Sequence, residues 1–288
     1  MNAEREMGPL RIGEPLLDAS FLSVLEHRGL EPRWDPGAAG DIELPEATTV
    51  LALTWRDGVV MAGDRRATAG NYIAHRRVRK VYPADDFSAV AISGTAGMAV
   101  ELIKLFRTEL EHYEKIEGIR LSLDGKANYL ARMVRSNLAL AFQGLVVIPL
   151  FCGYDLASGA GRLFSFDVVG GQYDELHYAT TGSGGTEARS FLKGEWSDDL
   201  DEERAVALAV EALVAASEED AATGGPDPRR GIFPNVLTVS SSGVRELSDE
   251  AKMFRFMGAM NELSPEMLVQ FTQIDYRREM ALVAMALR

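Results

Sequence analysis

Cysteine is almost absent from this chain: Cys152 stands alone among 288 residues. One thiol cannot close an internal disulfide, which excludes a disulfide-stapled scaffold and suits a reducing compartment. Its setting, the apolar run "VVIPLFCGYD", marks it as a small core residue. Histidine is nearly as scarce. His27, His75, His112 and His177 are scattered, and "EHYEK" is not a zinc motif, so neither a metal nor another cofactor is expected. Positive charge is in deficit, with 30 Lys and Arg against 43 Asp and Glu and a net charge of -13. That balance argues against nucleic acid or an anionic membrane surface as partner. No run approaches the about 20 apolar residues of a membrane span. The start, "MNAEREMGPL", lacks the basic and apolar regions of a secretory signal. Repeats and low-complexity tracts are also missing. The expectation is a cytoplasmic globular protein, enzyme or scaffold.

What is present is enough apolar residue for a sizeable core, 47% hydrophobic with 25% charged. The pattern divides the chain in three. Residues 1–47 hold Pro9, Pro15, Pro32, Pro36 and Pro45, the stretch "PGAAGD" and one amphipathic patch, "DASFLSVLEHRGL". They read as an appendage, a linker or a pro-segment. Residues 48–247 form the main domain. Residues 248–288 depart again, with a helix start at Ser264-Pro265-Glu266 and an apolar Met- and Leu-rich face. That extension packs on its own domain or meets another subunit.

Within the main domain, "TVLALTW" and "VVMAGD" alternate with period two around Asp57-Gly58, a hairpin signature. Short strands are expected at "NYIAH", "VRKVYP" and "SAVAISG". A helical period follows Gly94, with Met98, Leu102, Leu105, Phe106, Leu110 and Tyr113 on one face and an end near Gly118. A second helix is expected from about Asp124 to Gly144, its inner face Tyr129, Met133, Val134, Leu138 and Phe142. Strands return in "LVVIPLFCGYD", "GRLFSFDVVGG" and "YDELHYATTGSG". Helices near 185–193 and 201–217 follow, and then a hairpin turned at Ser242-Gly243. Strand blocks joined by hairpins and alternating with helix pairs predict two mostly antiparallel sheets face to face with helices outside: an α/β, four-layer αββα sandwich.

Several residues in this frame can carry chemistry. "EATTVLALTW" places Thr48 and Thr49 at the head of the first strand. "MAGDRR" puts Asp64 at the end of the second, sixteen residues past Thr48, and "VRKVY" puts Lys80 thirty-two past it. "AISGTAG" sets Gly94 at a strand-to-helix turn, where backbone N–H groups can receive an anion. "TTGSGG" holds Ser183 but lacks the Lys-Ser/Thr of a phosphate loop. "EEDAATGGPD" is a polar loop with Asp220 and Thr223. Singly, each has a plain structural explanation: Asp64 as a turn cap, Lys80 as a surface cation.

Taken in order and spacing, the set resembles a 20S proteasome β subunit of the bacterial, actinobacterial type. The likeness covers roughly 48–247 and runs through "TTVLALTWRDGVVMAGDRRATAGN", "VRKVYPADDFSAVAISGTAG", "ELEHYEKIEG", "GSGG" and "DAATGGPDPRRGIFP". It implies an N-terminal nucleophile hydrolase fold, in agreement with the sandwich, and a threonine-type endopeptidase. A threonine hydroxyl is a poor nucleophile unless a base takes its proton. In this family the base is the α-amine of the same residue, with a reference pKa of about 7.7–8. That amine exists only after the Ala47–Thr48 bond is cut, so residues 1–47 would be a propeptide.

By this resemblance Thr48 is the nucleophile, Lys80 a cation favouring its deprotonation and Asp64 the partner of Lys80. Gly94 N–H forms the oxyanion hole, and Ser183, Asp220 and Thr223 complete the network around the amine. Thr223 stands where the family often has serine. Thr68 and Ala96 offer backbone groups to an extended peptide. Ala67, Val78, Tyr82, Ile92, Ala96 and Val100 line an apolar pocket, which implies cleavage after hydrophobic residues. Maturing members usually carry glycine where this chain has Ala47. The implied assembly is a seven-membered β ring stacked on a second β ring and on α rings, fed by an ATPase unfoldase, with pupylated proteins as clients. A two-ring protease subunit of the HslV type also begins with paired threonines. The long N-terminal segment and the acidic loop count against it. A catalytically silent structural ring subunit would have no need of Thr48, Asp64 and Lys80 together.

Overall fold

The first hairpin explains why the sheets stack as they do. In the computed structural model, which describes residues 48–248, β1 (Thr49–Trp55) and β2 (Gly58–Gly63) pair antiparallel. Residues of β1 are buried on both faces: Leu51 and Leu53 point into one apolar cluster, Val50 and Ala52 into another. A strand with two apolar faces has to lie between two layers. The first sheet has the order β10-β1-β2-β11-β12, where β10 is Tyr178–Gly182, β11 Asn235–Ser240 and β12 Gly243–Glu246. The second has the order β5-β6-β7-β8-β9, formed by Val81–Asp85, Ser88–Gly94, Val147–Asp155, Ala160–Phe166 and Gln172–Glu175. A separate pair joins β3 (Ala67–Ala69) to β4 (Tyr72–His75).

Helices cover both outer faces. α1 (Ala96–Glu117) and α2 (Leu123–Ser136) share an apolar cluster with the second sheet, through Phe106, Leu130, Phe151 and Phe164. A short α3 (Leu138–Ala141) follows. α4 (Gly185–Glu195) and α5 (Glu202–Glu219) cover the first sheet through Leu192, Leu208 and Leu213. A third cluster, with Met61, Leu150, Leu163 and Cys152, fills the space between the sheets. Each large side chain fully buried in these clusters contributes about 1.5–3 kcal/mol. Helix, sheet, sheet, helix is the αββα sandwich expected. Burial pushes the Cys152 thiol well above its ordinary range, consistent with an inert core residue. Among the described residues no helix is long and apolar enough to cross a membrane.

Local expectations differ from the structure in five places. Leu105 is 53% exposed because it sits about 100° round the helix from Phe106. Tyr113, 36% exposed, follows Leu110, the last buried residue of α1. The expected second helix breaks at Asn137, whose amide donates to Met133 O and whose N–H turns to Val134 O. The helical phase is lost there, and Phe142, expected inward, is 59% exposed. "YDELHYATTGSG" is two strands in different sheets: the chain crosses between them after Glu175, and Thr54 N–H binds His177 O at the crossing. Finally, Lys80 immediately precedes β5 rather than lying in it. The amphipathic patch within 18–30, Ala47 and the C-terminal helix expected from Ser264 lie outside the described residues.

Candidate active site

Strand alternation sorts the two threonines. Thr48 is in phase with Val50 and Ala52, toward the space between the sheets, and Thr49 with Leu51 and Leu53, toward α4 and α5. Both are buried, Thr48 at 6% exposure and Thr49 at 0%. Hairpin pairing then brings the end of β2 beside the start of β1. Val50 lies opposite Gly63, and Asp64 N–H donates to Thr49 O at 3.1 Å.

A fully buried carboxylate needs compensation for its lost hydration, and Asp64 has it on every side. Oδ1 accepts from Lys80 Nζ at 2.5 Å and Thr49 N–H at 2.9 Å; Oδ2 accepts from Arg66 N–H at 2.8 Å and Gly224 N–H at 2.9 Å. With four donors around it, this carboxylate is built to hold a cation and not to ligate a metal. Lys80, 4% exposed, also donates from Nζ to Arg66 O at 2.5 Å. Its backbone is held by Asn235 Oδ1 and by Ile92 N–H. Burial lowers the Lys80 pKa, Asp64 opposes that fall through charge and hydrogen bond, and the Arg66 charge adds to it. The outcome is a lysine below its ordinary value and locked against a carboxylate, next to the strand end that carries Thr48.

The second group comes from loops. Ser183 N–H donates to Thr48 O at 3.0 Å. Its hydroxyl donates to Asp220 Oδ2 at 2.5 Å, and so does that of Thr223, also at 2.5 Å. Asp220 Oδ1 accepts from Ala222 N–H. Burial pulls the Asp220 carboxyl upward, but the bonds from Ser183, Thr223 and the backbone outweigh it and leave the pKa lowered. Thr223 in turn meets Thr49 Oγ1 at 2.5 Å. Ser183, Asp220 and Thr223 are thus linked to one another and meet the chain at Thr48 O and Thr49 Oγ1.

Two glycines at strand ends occupy places that no side chain fits. Gly182 lies opposite Thr49 with φ +102°, and a Cβ there would fall 1.6 Å from Thr48 O. Gly94 ends β6 with φ +107°, and its Cβ would fall 2.1 Å from Val146 O. No other residue type fits either place. Both glycines line one cleft of about 800 Å³, together with Ser93, Thr181, Arg189 and Lys193.

The residues expected to bind substrate occupy neighbouring elements. Ala67 and Thr68 lie in β3, Thr68 opposite Ile73. Val78 N–H binds Arg65 O, alongside that strand. Tyr82 in β5 donates to Arg79 O, and Ala96 and Val100 lie on the first turn or two of α1. Ile92 belongs to the core beneath α1, with Tyr82 packed against the same cluster. Sequence reasoning passed over Arg66, Gly224, Gly184 and the side chain of Thr49. Arg66 and Gly224 act through backbone N–H and C=O groups, which carry no side-chain signal; only the glycines of "GSGG" and "TGGPD" hinted at close approach.

Comparison with known proteins places the chain in a family. Residues 45–226 match the family described as "Proteasome subunit". The chain is 54% identical over 236 residues to a "Proteasome subunit beta" of Streptomyces griseus, covering 81% of this chain and 84% of that protein. It is 52% identical over 239 residues to a "Proteasome subunit beta" of Acidimicrobium ferrooxidans, covering 76% and 88% respectively.

Proposed function

Because the chain belongs to the proteasome subunit family, we propose that it is a β subunit of a proteasome core, a protease assembled into rings, with Thr48 as its nucleophile. The observation that supports the nucleophile best is the buried Lys80–Asp64 pair beside the strand that opens with Thr48. A lysine held charged at that point favours the alkoxide over the hydroxyl.

In the reaction, Thr48 Oγ attacks the scissile carbonyl carbon while its proton passes to the Thr48 α-amine. The oxyanion is received by the Gly94 N–H. Collapse breaks the C–N bond, the ammonium returns the proton to the departing amine, and an ester on Oγ remains. Water, deprotonated by the same amine, attacks that ester; the proton returns to Oγ as the acid leaves. Asp64 orients Lys80 throughout, while Ser183, Asp220 and Thr223 hold the amine.

The amine requires cleavage between Ala47 and Thr48, so residues 1–47 act as a propeptide, 48–247 as the hydrolase domain and 248–288 as a C-terminal extension. Ala67, Val78, Tyr82, Ile92, Ala96 and Val100 favour a hydrophobic residue before the cut. Seven copies form a ring, paired with a second β ring and flanked by α rings in the cytoplasm. An ATPase delivers unfolded clients, among them pupylated proteins.

Intact mass and hydrolysis of a fluorogenic peptide with a hydrophobic residue before the cut provide the test. The wild type shows Thr48 as its N-terminus and cleaves the peptide. Thr48→Ala retains residues 1–47 and cleaves nothing. A processed wild-type protein without hydrolysis would identify a silent structural subunit and overturn the proposal.

A further inference from the structure

Thr49 has no part in the chemistry above, yet its hydroxyl is fully buried and bonded on both sides. Oγ1 accepts from Gly184 N–H at 2.9 Å and meets Thr223 Oγ1 at 2.5 Å. The direction of that second bond follows from counting protons. A hydroxyl has one proton, and Thr223 gives its proton to Asp220 Oδ2, an oxygen that only accepts. Thr223 must therefore accept from Thr49. The result is a one-way chain, Gly184 N–H to Thr49 to Thr223 to Asp220, ending on a charge. Bonds that finish on an ion are stronger than neutral ones and polarise those behind them. Ser183 joins the same carboxylate oxygen and holds Thr48 O through its own N–H.

The backbone of the same residue serves the other half of the site. Thr49 N–H binds the Asp64 oxygen that also holds Lys80, and Thr49 O accepts from Asp64 N–H. The surrounding sequence keeps room for the hydroxyl chain. A Cβ on residue 184 would lie 2.6 Å from Thr223 Oγ1 and 2.9 Å from Thr49 Oγ1, so only glycine admits the pair. The Asp220 charge also reaches across the site, since it is one of the influences that raise Lys80.

We infer that Thr49 is a positioning residue: its hydroxyl, acting through Thr223, holds Asp220 and Ser183 in place around the Thr48 amine. This rests on Thr48 being the nucleophile. A purely structural Thr49, one that only satisfies Gly184 N–H, would cost stability on removal and leave the chemistry of the amine untouched.

The test uses the full chain, assembled and processed, with rates per processed subunit counted by intact mass. Thr49→Val keeps the shape and removes the hydroxyl; Thr49→Ser restores it. For Thr49→Val, kcat falls about tenfold, the size of one lost buried hydrogen bond, with KM unchanged. The acid limb of its pH profile moves to lower pH, because a carboxylate no longer held beside an amine stops favouring the charged amine. Thr49→Ser recovers the profile and all but about twofold of kcat. Thr223→Val reproduces the shift, and adding Thr49→Val to it brings little further loss, as expected of one chain. Should Thr49→Val fail to assemble, Thr223→Val and Thr49→Ser carry the same comparison. An unchanged pH profile in the valine variants, equal loss in Ser and Val, or additive losses would overturn the inference while leaving Thr48 in its role. A wild type that cleaves nothing, or a Thr48→Ala variant that still cleaves, would overturn both.

Discussion

The two halves of the site are built differently. Asp64 follows the end of β2, Lys80 precedes β5, and both are almost wholly buried. Their charges are compensated by each other and by backbone groups of Thr49, Arg66 and Gly224. Ser183, Asp220 and Thr223 sit on loops flanking α4 and α5 and are tied by hydroxyls to a carboxylate only partly shielded from solvent. The first half is an ion pair that the core cannot release. The second is a hydroxyl network carried on loops, with Thr223 itself fully buried. Under the proposed roles the two halves divide the work: the ion pair sets the electrostatics at Thr48 and the hydroxyl network its orientation.

That contrast can be broken most sharply at Asp64. Asp64→Asn leaves Lys80 buried without its counter-charge, and breaking such a pair costs about 3–5 kcal/mol. Calorimetry should show the loss, and hydrolysis should drop by about 10²–10⁴-fold. The pH dependence has a definite sign. A lysine whose folded pKa lies below its unfolded value binds fewer protons in the native state, so stability rises with pH. Removing Asp64 takes away the chief influence that raises Lys80. The Tm deficit of Asp64→Asn should therefore shrink as pH climbs from about 7 to 9. A constant deficit would mean that Lys80 is neutral already.

Gly182→Ala tests the junction of the halves. It forces a Cβ onto Thr48 O at a positive φ, costing about 3 kcal/mol, and it displaces the bond from Ser183 N–H. Peptide hydrolysis should fall further than the loss of folded protein explains, as read by activity against Tm.

The smallest effect belongs to the loop half. The folded Asp220 pKa is depressed, so its contribution to stability is present above the unfolded value of about 3.9 and is lost as pH falls through the folded one. Asp220→Asn should be less stable than wild type near neutrality, with the gap closing below about pH 4. Chemical denaturation at a series of pH values reads this directly. Hydrolysis should weaken by less than in Asp64→Asn, which is the ranking that the comparison of halves requires.

Much of this was legible before any coordinates. Period-two runs around Asp57-Gly58 and Ser242-Gly243 mark hairpins, and the helical period after Gly94 marks α1. The joining of β9 and β10 was not legible, because "YDELHYATTGSG" alternates evenly through the point where the chain changes sheets. Nor was the break at Asn137, which depends on a side chain binding its own helix at Met133. Leu105 belonged to an apolar stripe wider than the face the sheet can cover.

Within the site the same division holds. The residue count from Thr48 to Asp64 survives folding because a tight hairpin converts separation along the chain into register across it, and Lys80 then reaches Asp64 through its side chain. Alternation also separates Thr48 from Thr49 without any structure. It could not say what Thr49 meets on its own side of the sheet, since Thr223 is 174 positions away and Gly184 is 135. Those contacts depend on how α4 and α5 lie over β1, and that is decided by the packing of Leu51, Leu53, Leu192 and Leu213 in three dimensions. Period two assigns a side chain to a face; only the layer that settles on that face determines its partners.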